Sequence, residues 1–278
     1  MRPLRPPPRA TRRCRPERSH TEVNLLSSLT DVASAPAHRV GPADQADGLR
    51  RLFIAQRPRF VAVVANADLA FSGLVLERLA SACGAQGRHT LVVDAAATAE
   101  TPPELALLDL ACGIEALAPG LDFLAARGLP MRHVDSRGSC ARFLQAVAAA
   151  APQADVVIVQ AEPSDLGRLF TGRAVRPLLL AADHPASVTN AYAGLKLLSR
   201  RHHLMAFDLL LAAPPNSPRL HRIAQKIAET ADRFVGAALH DWAQVDPAAP
   251  AGSSALARLV HGLLHLEHDD ETLIPWSS

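Results

Sequence analysis

The sequence predicts an α/β fold built on a doubly wound, mostly parallel sheet. Two observations support this prediction: short, nearly continuous apolar runs recur along the chain, and helical apolar spacings lie between them. With 278 residues, 49% of them hydrophobic, the chain is long enough to bury a sizeable core. Ligands of such folds bind at the carboxyl ends of the strands, so functional side chains are expected there.

Residues 1–43 come first and are predicted to be a disordered, basic extension. They carry eight arginines and three acidic residues, and the first 18 residues include five prolines. This composition offers no apolar face on which a helix or strand could form. We expect the extension to be dispensable for folding, either as a functional tail or as residues upstream of the true translation start.

A short helix and its linker are predicted over residues 44–58. Asp44 is a good N-cap, Gln45 and Leu49 fall on one side of the helix, and Ala46 and Arg50 lie at the margin of that side. A helix of about ten residues is marginal alone and folds when it packs against a surface. That surface is either a partner protein or the chain's own domain.

An α/β domain is predicted over residues 59–268, with a tail over residues 269–278. Six apolar runs in this domain have the length and character of strands buried on both faces of a parallel sheet. They are residues 60–65, 90–95, 155–161, 177–182, 207–213 and 234–239. Helical spacings follow the first run and precede the last, which predicts right-handed crossovers between parallel strands.

The first strand-to-helix junction is where a nucleotide-binding protein of this class holds its phosphate loop. Such a loop needs glycines, so that backbone N–H groups can approach phosphate, and a lysine to meet its charge. Here Ala67 and Asp68 lie in the junction, only Ser72 and Gly73 suit a phosphate loop, and both lysines of the chain lie far along the sequence. The junction is therefore predicted to be a degenerate nucleotide site.

Two other strand ends carry polar side chains. Asp94 ends the second run, where it is interpreted as a turn or cap residue, with positioning of magnesium or water as the alternative. Gln160 ends the third run, where an ATPase would hold its metal with a carboxylate, and an amide binds Mg²⁺ less well. The sequence thus has the frame of an ATPase without its phosphate and metal chemistry, and no cofactor is expected.

The last predicted helix is amphipathic. Its apolar stripe contains Leu256, Leu259, Val260 and Leu263, and its opposite face contains His261, His265 and His268. Packing of the stripe on the sheet is favoured over contact with a membrane surface, since histidines stand where lysines would be wanted. The histidines are interpreted as a solvated face, with metal binding as the alternative.

Charge and composition exclude several classes of protein. Since the extension carries +5 and the whole chain +2, the rest of the chain carries −3, and a nucleic-acid partner is not expected. No apolar run approaches the roughly 18–20 residues that span a bilayer, so at most peripheral membrane contact is expected. The four cysteines are widely spaced and form no CxxC pair, which is typical of reduced thiols in a cytoplasmic protein.

Three stretches resemble the MinD/ParA-type P-loop ATPases, and among them the flagellar-number regulators of the FlhG (FleN) family. Residues 44–52, DQADGLRRL, resemble the family's N-terminal DQAxxLR motif. Residues 61–80 are similar to its strand, P-loop and helix, and residues 185–196, PASVTNAYAGLK, to its P-x-S-I-T-D-A-Y-A-x-I-K segment. The resemblance covers residues 44–265 and implies a MinD-like P-loop NTPase fold.

The departures from the family pattern fall on its nucleotide site. By this resemblance, the phosphate-binding lysines correspond to Ala67 and Ser72, and the switch aspartate corresponds to Gln160. Loss of these groups implies a pseudo-ATPase that binds neither ATP nor Mg²⁺. The alternative is a MinD/ParA-type ATPase that retains weak ATP binding and hydrolysis.

The resemblance also implies a function and partners. The DQAxxLR segment would dock on FlhF, a GTPase of the signal-recognition-particle type, where Gln45 and Arg50 would complete the partner's site and stimulate GTP hydrolysis. The protein would regulate flagellar number or placement from the cytoplasm, with recruitment to the cell pole or membrane surface. Flagellar switch proteins, transcriptional regulators and a second copy of the chain are further expected partners. A general scaffold unrelated to flagella is the third alternative.

Overall fold

The computed structural model describes residues 57–214, 216–249 and 253–265. The strands in these ranges are β1 (Arg59–Val64), β2 (Thr90–Asp94), β3 (Ile114–Ala118), β4 (Leu121–Ala125), β5 (Val156–Ala161), β6 (Leu178–Ala182), β7 (Ala206–Ala212) and β8 (Ala238–Val245). They form one sheet in the order β3-β4-β2-β5-β1-β6-β7-β8. Only β3 and β4 pair in antiparallel fashion, so the predicted α/β, mostly parallel fold is confirmed.

Helices cover both faces of the sheet. The α-helices in the described ranges are α1 (Ser72–Gly84), α2 (Ala141–Ala150), α3 (Pro163–Leu169), α4 (Pro185–His202), α5 (Leu220–Val235) and α6 (Ser254–Leu264). One hydrophobic cluster joins the sheet to α2, α3, α4 and α5, and a second joins it to α1 and α6. Successive residues of β5 enter opposite clusters, which explains why the strand is an unbroken apolar run.

The apolar stripe of the last helix lies in the core. Leu256, Leu259, Val260 and Leu263 are all buried in the cluster that α6 shares with α1. His261 and His265 stack on the exposed side with ring centroids 3.9 Å apart. This is the packing that the sequence favours. No helix within the described ranges combines the length and the apolar character needed to cross a membrane.

One predicted strand is wrong. Residues 234–239 were expected to form a strand, but Phe234 and Val235 complete α5 and the strand β8 begins at Ala238. Gly236, at φ 72°, ends the helix in the left-handed conformation that glycine adopts without strain. The apolar run therefore crosses the junction between a helix and a strand, and the ring of Phe234 is 61% exposed.

The hairpin of β3 and β4 is absent from the sequence prediction. Its turn contains Gly120 at φ 76°, and most residues of β3 are exposed because this strand forms the edge of the sheet. A solvated edge strand needs no continuous apolar run, so the pattern that identifies the central strands is missing here. The predicted extension over 1–43, residues 44–56 and the tail over 269–278 lie outside the described residues.

Candidate functional site

The loop after β1, over residues 65–71, lies where the sequence predicts a degenerate phosphate loop. Asn66 is buried, and its side-chain amide donates to the carbonyl oxygen of Leu180 at 2.8 Å and to that of Ser187 at 2.9 Å. A third contact joins the same amide to Oγ of Ser187 at 3.1 Å. The side chain of Asn66 therefore fastens the loop to β6 and to the first turn of α4.

Two backbone N–H groups of this loop form hydrogen bonds within the loop itself. Oδ1 of Asn66 accepts from the N–H of Asp68 at 3.1 Å, and the carbonyl oxygen of Asn66 accepts from the N–H of Leu69 at 3.1 Å. The side chain of Leu69 is buried in the cluster that α1 shares with the sheet. A phosphate loop turns its N–H groups toward the ligand, whereas two of these N–H groups are already bonded to the loop itself.

The predicted residues of the degenerate site lie at the surface of this junction. Ala67, Asp68 and Gly73 are exposed, and Ser72 is the half-buried first residue of α1. The carboxylate of Asp68 accepts from the side-chain amide of Asn190 at 3.2 Å. A polyphosphate at the start of α1 would face the negative charge of Asp68, and this loop contains no lysine.

Asp94 and Gln160 lie side by side at the same edge of the sheet. They are register partners in the β2–β5 pair, and Gln160 is also the register partner of Val63 in β1. Oδ1 of Asp94 accepts from the N–H of Ala96 at 3.1 Å, which is the turn geometry that the sequence favours for this residue. Burial raises the pKa of Asp94, and the hydrogen bond from Ala96 opposes that rise.

Gln160 is the more unusual of the two residues. It is 2% exposed, and its Oε1 atom has no hydrogen-bond partner among the described residues. The structure thus brings Asp94, Gln160 and the loop after β1 together at the carboxyl edge. This set offers one carboxylate, one amide and a loop with bonded N–H groups, and it does not fit a site for magnesium and polyphosphate.

Replacing Gln160 with glutamate tests this description of the edge. The isosteric change places a buried charge beside Asp94, and it should lower the free energy of unfolding by about 2 kcal/mol at neutral pH. The loss should be small in acid and grow as the pH rises above about 4.3, because burial raises the glutamate's pKa in the folded state alone. Urea denaturation at about pH 4 and about pH 7.5 measures it.

Gln160→Met is the matched control for this prediction. It removes the amide without adding charge, and it should change stability by no more than about 1 kcal/mol at either pH. Equal stability of Gln160→Glu and the wild type at neutral pH would contradict the description of Gln160 as a buried side chain that does not tolerate a charge.

Ser187 is a site residue that the sequence analysis did not single out. Its Oγ accepts from the N–H of Ala182 at 3.0 Å and also contacts Asn66, so it joins the end of β6, the start of α4 and the loop after β1. This serine is the S of the P-x-S segment that resembles the family. Its partner Asn66 directly follows the apolar run over residues 60–65, and that position was the signal available in the sequence. The structure shows that Asn66 is buried.

The two buried cysteines in the described part of the chain are not activated nucleophiles. Cys83 and Cys140 are buried and Cys112 is exposed. Burial raises the pKa of Cys83 to about 12 and also raises the pKa of Cys140. Both buried thiols are therefore protonated at neutral pH.

The predicted partner-binding residues cannot be placed against this edge. Asp44, Gln45, Ala46, Leu49 and Arg50 lie outside the described residues. Their role stays a prediction.

The chain is similar in sequence to a known regulator. No family model matches the chain. Antiactivator FleN of Pseudomonas aeruginosa is 34% identical over 113 residues, which are 40% of this chain and 38% of FleN. The match therefore covers well under half of that protein, and the predicted resemblance to FleN is confirmed over this stretch.

Solved structures give the fold. The MinC:MinD cell division protein complex of Aquifex aeolicus matches with a TM-score of 0.50 at 11% identity, over 79% of this chain and 98% of that chain. Cobyrinic acid a,c-diamide synthase of Mycobacterium smegmatis matches with a TM-score of 0.50 at 19% identity, over 74% and 94%. The predicted MinD-like P-loop NTPase fold is confirmed.

Proposed function

We propose that this protein is an FlhG-like regulator of flagellar number or placement and of flagellum assembly. It acts by binding FlhF, a GTPase of the signal-recognition-particle type, through the DQAxxLR segment, and it is a pseudo-ATPase. The similarity to a protein named as an antiactivator supports a regulatory role. The observation that carries the proposal is a MinD-like fold whose loop after β1 is held by Asn66.

The loop geometry favours a regulator over an ATPase. Binding of phosphate would require the N–H groups of Asp68 and Leu69 to leave their present acceptors on Asn66. It would also bring a polyanion toward the carboxylate of Asp68 without a lysine in the loop to balance the charge. The alternative function, a MinD/ParA-type ATPase with weak ATP binding, has the fold in its favour but not these contacts.

Isothermal titration with Mg-ATP separates the two functions. We expect no saturable binding up to about 1 mM nucleotide, which corresponds to less than about 4 kcal/mol of binding free energy. The control variant Asp68→Ser removes the opposing charge and should still not bind, because the N–H of Leu69 stays bonded to Asn66. A micromolar dissociation constant for the wild type would contradict this expectation and favour the ATPase alternative.

The proposed action on the partner follows from the chemistry of phosphoryl transfer. That reaction is limited by positioning and by stabilisation of charge, so a few groups supplied by a second protein accelerate a slow GTPase strongly. Arg50 would supply positive charge and Gln45 would position groups in the partner's site. Leu49 would contribute apolar area to docking. A second copy of the chain, flagellar switch proteins and transcriptional regulators are further proposed partners.

GTP turnover by the partner, with and without the full chain, tests the proposal. We expect the wild type to raise turnover at least about tenfold, a change of about 1.4 kcal/mol in the barrier. Gln45→Ala and Arg50→Ala should reduce the stimulation at saturating protein. Leu49→Ala should weaken docking by about 1.5–3 kcal/mol through lost apolar burial.

Gln56→Ala, outside the motif, is the matched control and should stimulate like the wild type. A peptide of residues 40–58 should stimulate on its own, which assigns the activity to the segment. Absence of stimulation by the wild type, or stimulation that survives both Gln45→Ala and Arg50→Ala, would contradict the proposal.

A further inference from the structure

An arginine-lined groove lies at the amino edge of the sheet, opposite the edge described above. Arg57 and Arg59 line it at the start of β1, and Arg88 lines it shortly before β2. Asp155, Val156 and the last residue of α6, Leu264, complete the lining. The groove encloses about 340 Å³, enough for several side chains of a peptide.

Positive charge predominates in this groove. Three arginines face one aspartate, and Oδ2 of Asp155 already accepts from the N–H of His89 at 2.9 Å. Arg57 and Arg88 are exposed, so a carboxylate can reach them from solvent. The lining is therefore complementary to an acidic peptide.

The chain itself supplies such a peptide next to the groove. α6 ends at Leu264, and residues 266–271 read LEHDDE, with four acidic residues and no lysine or arginine. An extended chain spans at most about 3.6 Å per residue, so Glu267 can reach about 11 Å from Leu264. A tether this short gives an effective concentration in the millimolar range.

We propose that the acidic segment formed by residues 267–271 binds in this arginine-lined groove of its own chain. Carboxylates of the segment pair with Arg57 and Arg88 as charge-assisted hydrogen bonds, where they compete with external polyanions. The inference itself does not depend on the proposed function.

A binding assay in trans tests this inference. The probe is a fluorescent peptide of residues 266–278, and the receptor is the full chain with Glu267→Gln, Asp269→Asn, Asp270→Asn and Glu271→Gln. We expect saturable binding to this neutralised variant, and binding at least about tenfold weaker to the wild type, whose own segment occupies the groove. Affinity should fall as salt rises, because the contacts are between charges.

Two further variants, made in the neutralised chain, locate the contact. Arg57→Gln with Arg88→Gln should weaken the peptide at least about tenfold, since two charge-assisted contacts are lost. Arg200→Gln with Arg222→Gln removes the same charge from exposed positions outside the groove and should leave binding unchanged. Circular dichroism verifies that each variant is folded.

Inorganic polyphosphate distinguishes an internal segment from an external ligand. It should bind the neutralised variant more tightly than the wild type, because only the variant leaves the arginines of the groove accessible. Equal binding to both proteins would overturn the inference. It would also be overturned if the peptide did not bind the neutralised variant at low salt, or if the two arginine pairs weakened binding equally.

Discussion

Replacing Arg176 with alanine should lower the free energy of unfolding by about 3–5 kcal/mol, because the change leaves a buried carboxylate without its counter-charge. Nε of Arg176 lies 2.5 Å from Oδ2 of Asp208, which is in β7 and fully buried. Oδ1 of Asp208 accepts from the N–H of Asp241 at 3.1 Å and lies 3.4 Å from Nδ1 of His240. These two contacts remain in the variant and do not replace a guanidinium.

The loss from Arg176→Ala should depend on pH. Burial raises the pKa of Asp208 above its ordinary value of 3.8 even in the wild type, and Arg176 opposes that rise. Without Arg176 the folded-state pKa moves further up while the unfolded value does not. The variant's deficit is therefore smallest below pH 3.8, grows as the pH rises, and levels off above the raised folded-state pKa. Urea denaturation at several pH values measures it.

Arg258→Ala is the matched control for this prediction. Arg258 donates to Asp241 at 3.1 and 3.2 Å, but its side chain is 64% exposed. Solvent screens a pair of this kind, so its loss should cost less than about 1 kcal/mol. If the two variants were equally stable at neutral pH, the buried ion pair would not have the role described here.

Replacing Asn66 with alanine should lower the free energy of unfolding by about 3 kcal/mol, because it removes several hydrogen bonds made by a buried side chain. The carbonyl oxygen of Leu180 and the N–H of Asp68 each lose a hydrogen bond to this side chain, as does Oγ of Ser187. Asn66→Asp should be at least as harmful, since a carboxylate would face the carbonyl oxygens of Leu180 and Ser187. Urea denaturation measures both changes.

Asn190→Ala is the control, because the side chain of Asn190 contacts the same loop at its exposed surface. Its single bond to Asp68, 3.2 Å long, should contribute less than about 0.5 kcal/mol. Limited proteolysis gives a second readout: cleavage within residues 65–71 should accelerate in Asn66→Ala and not in Asn190→Ala. A stable Asn66→Ala protein with an uncleaved loop would show that other contacts hold the junction.

The central strands were predictable because burial on both faces removes the need for alternation. The run over 155–161 became β5, in which every residue is buried. The same reasoning failed for segments that are not strands buried on both faces. β3 is an exposed edge strand without such a run, and the run over 234–239 is apolar although it crosses from α5 into β8. Gly236 was the sign of the helix end in that case.

The candidate site also has features that the sequence predicts and contacts that it does not predict. The missing glycines and lysines of the phosphate loop were visible in the sequence, and so was the replacement of a carboxylate by Gln160. The bonds of Asn66 were not predictable, because Leu180 and Ser187 lie 114 and 121 residues away along the chain. Only the order of strands in the sheet brings β1 beside β6 and creates that contact.

The hydrogen bonds that Asn66 makes to the loop after β1 have a consequence for what determines when the protein acts. In a nucleotide switch, hydrolysis of the bound nucleotide limits how long each molecule stays active before it returns to its resting state. The hydrogen bonds of Asn66 hold the loop over residues 65–71 to β6 and α4, so no bound phosphate is needed to give it a defined shape. If the proposed function holds, such a regulator would have no step of nucleotide hydrolysis to end its action. We expect its output to follow its copy number, so that synthesis and degradation, rather than a cycle of states, determine when it acts.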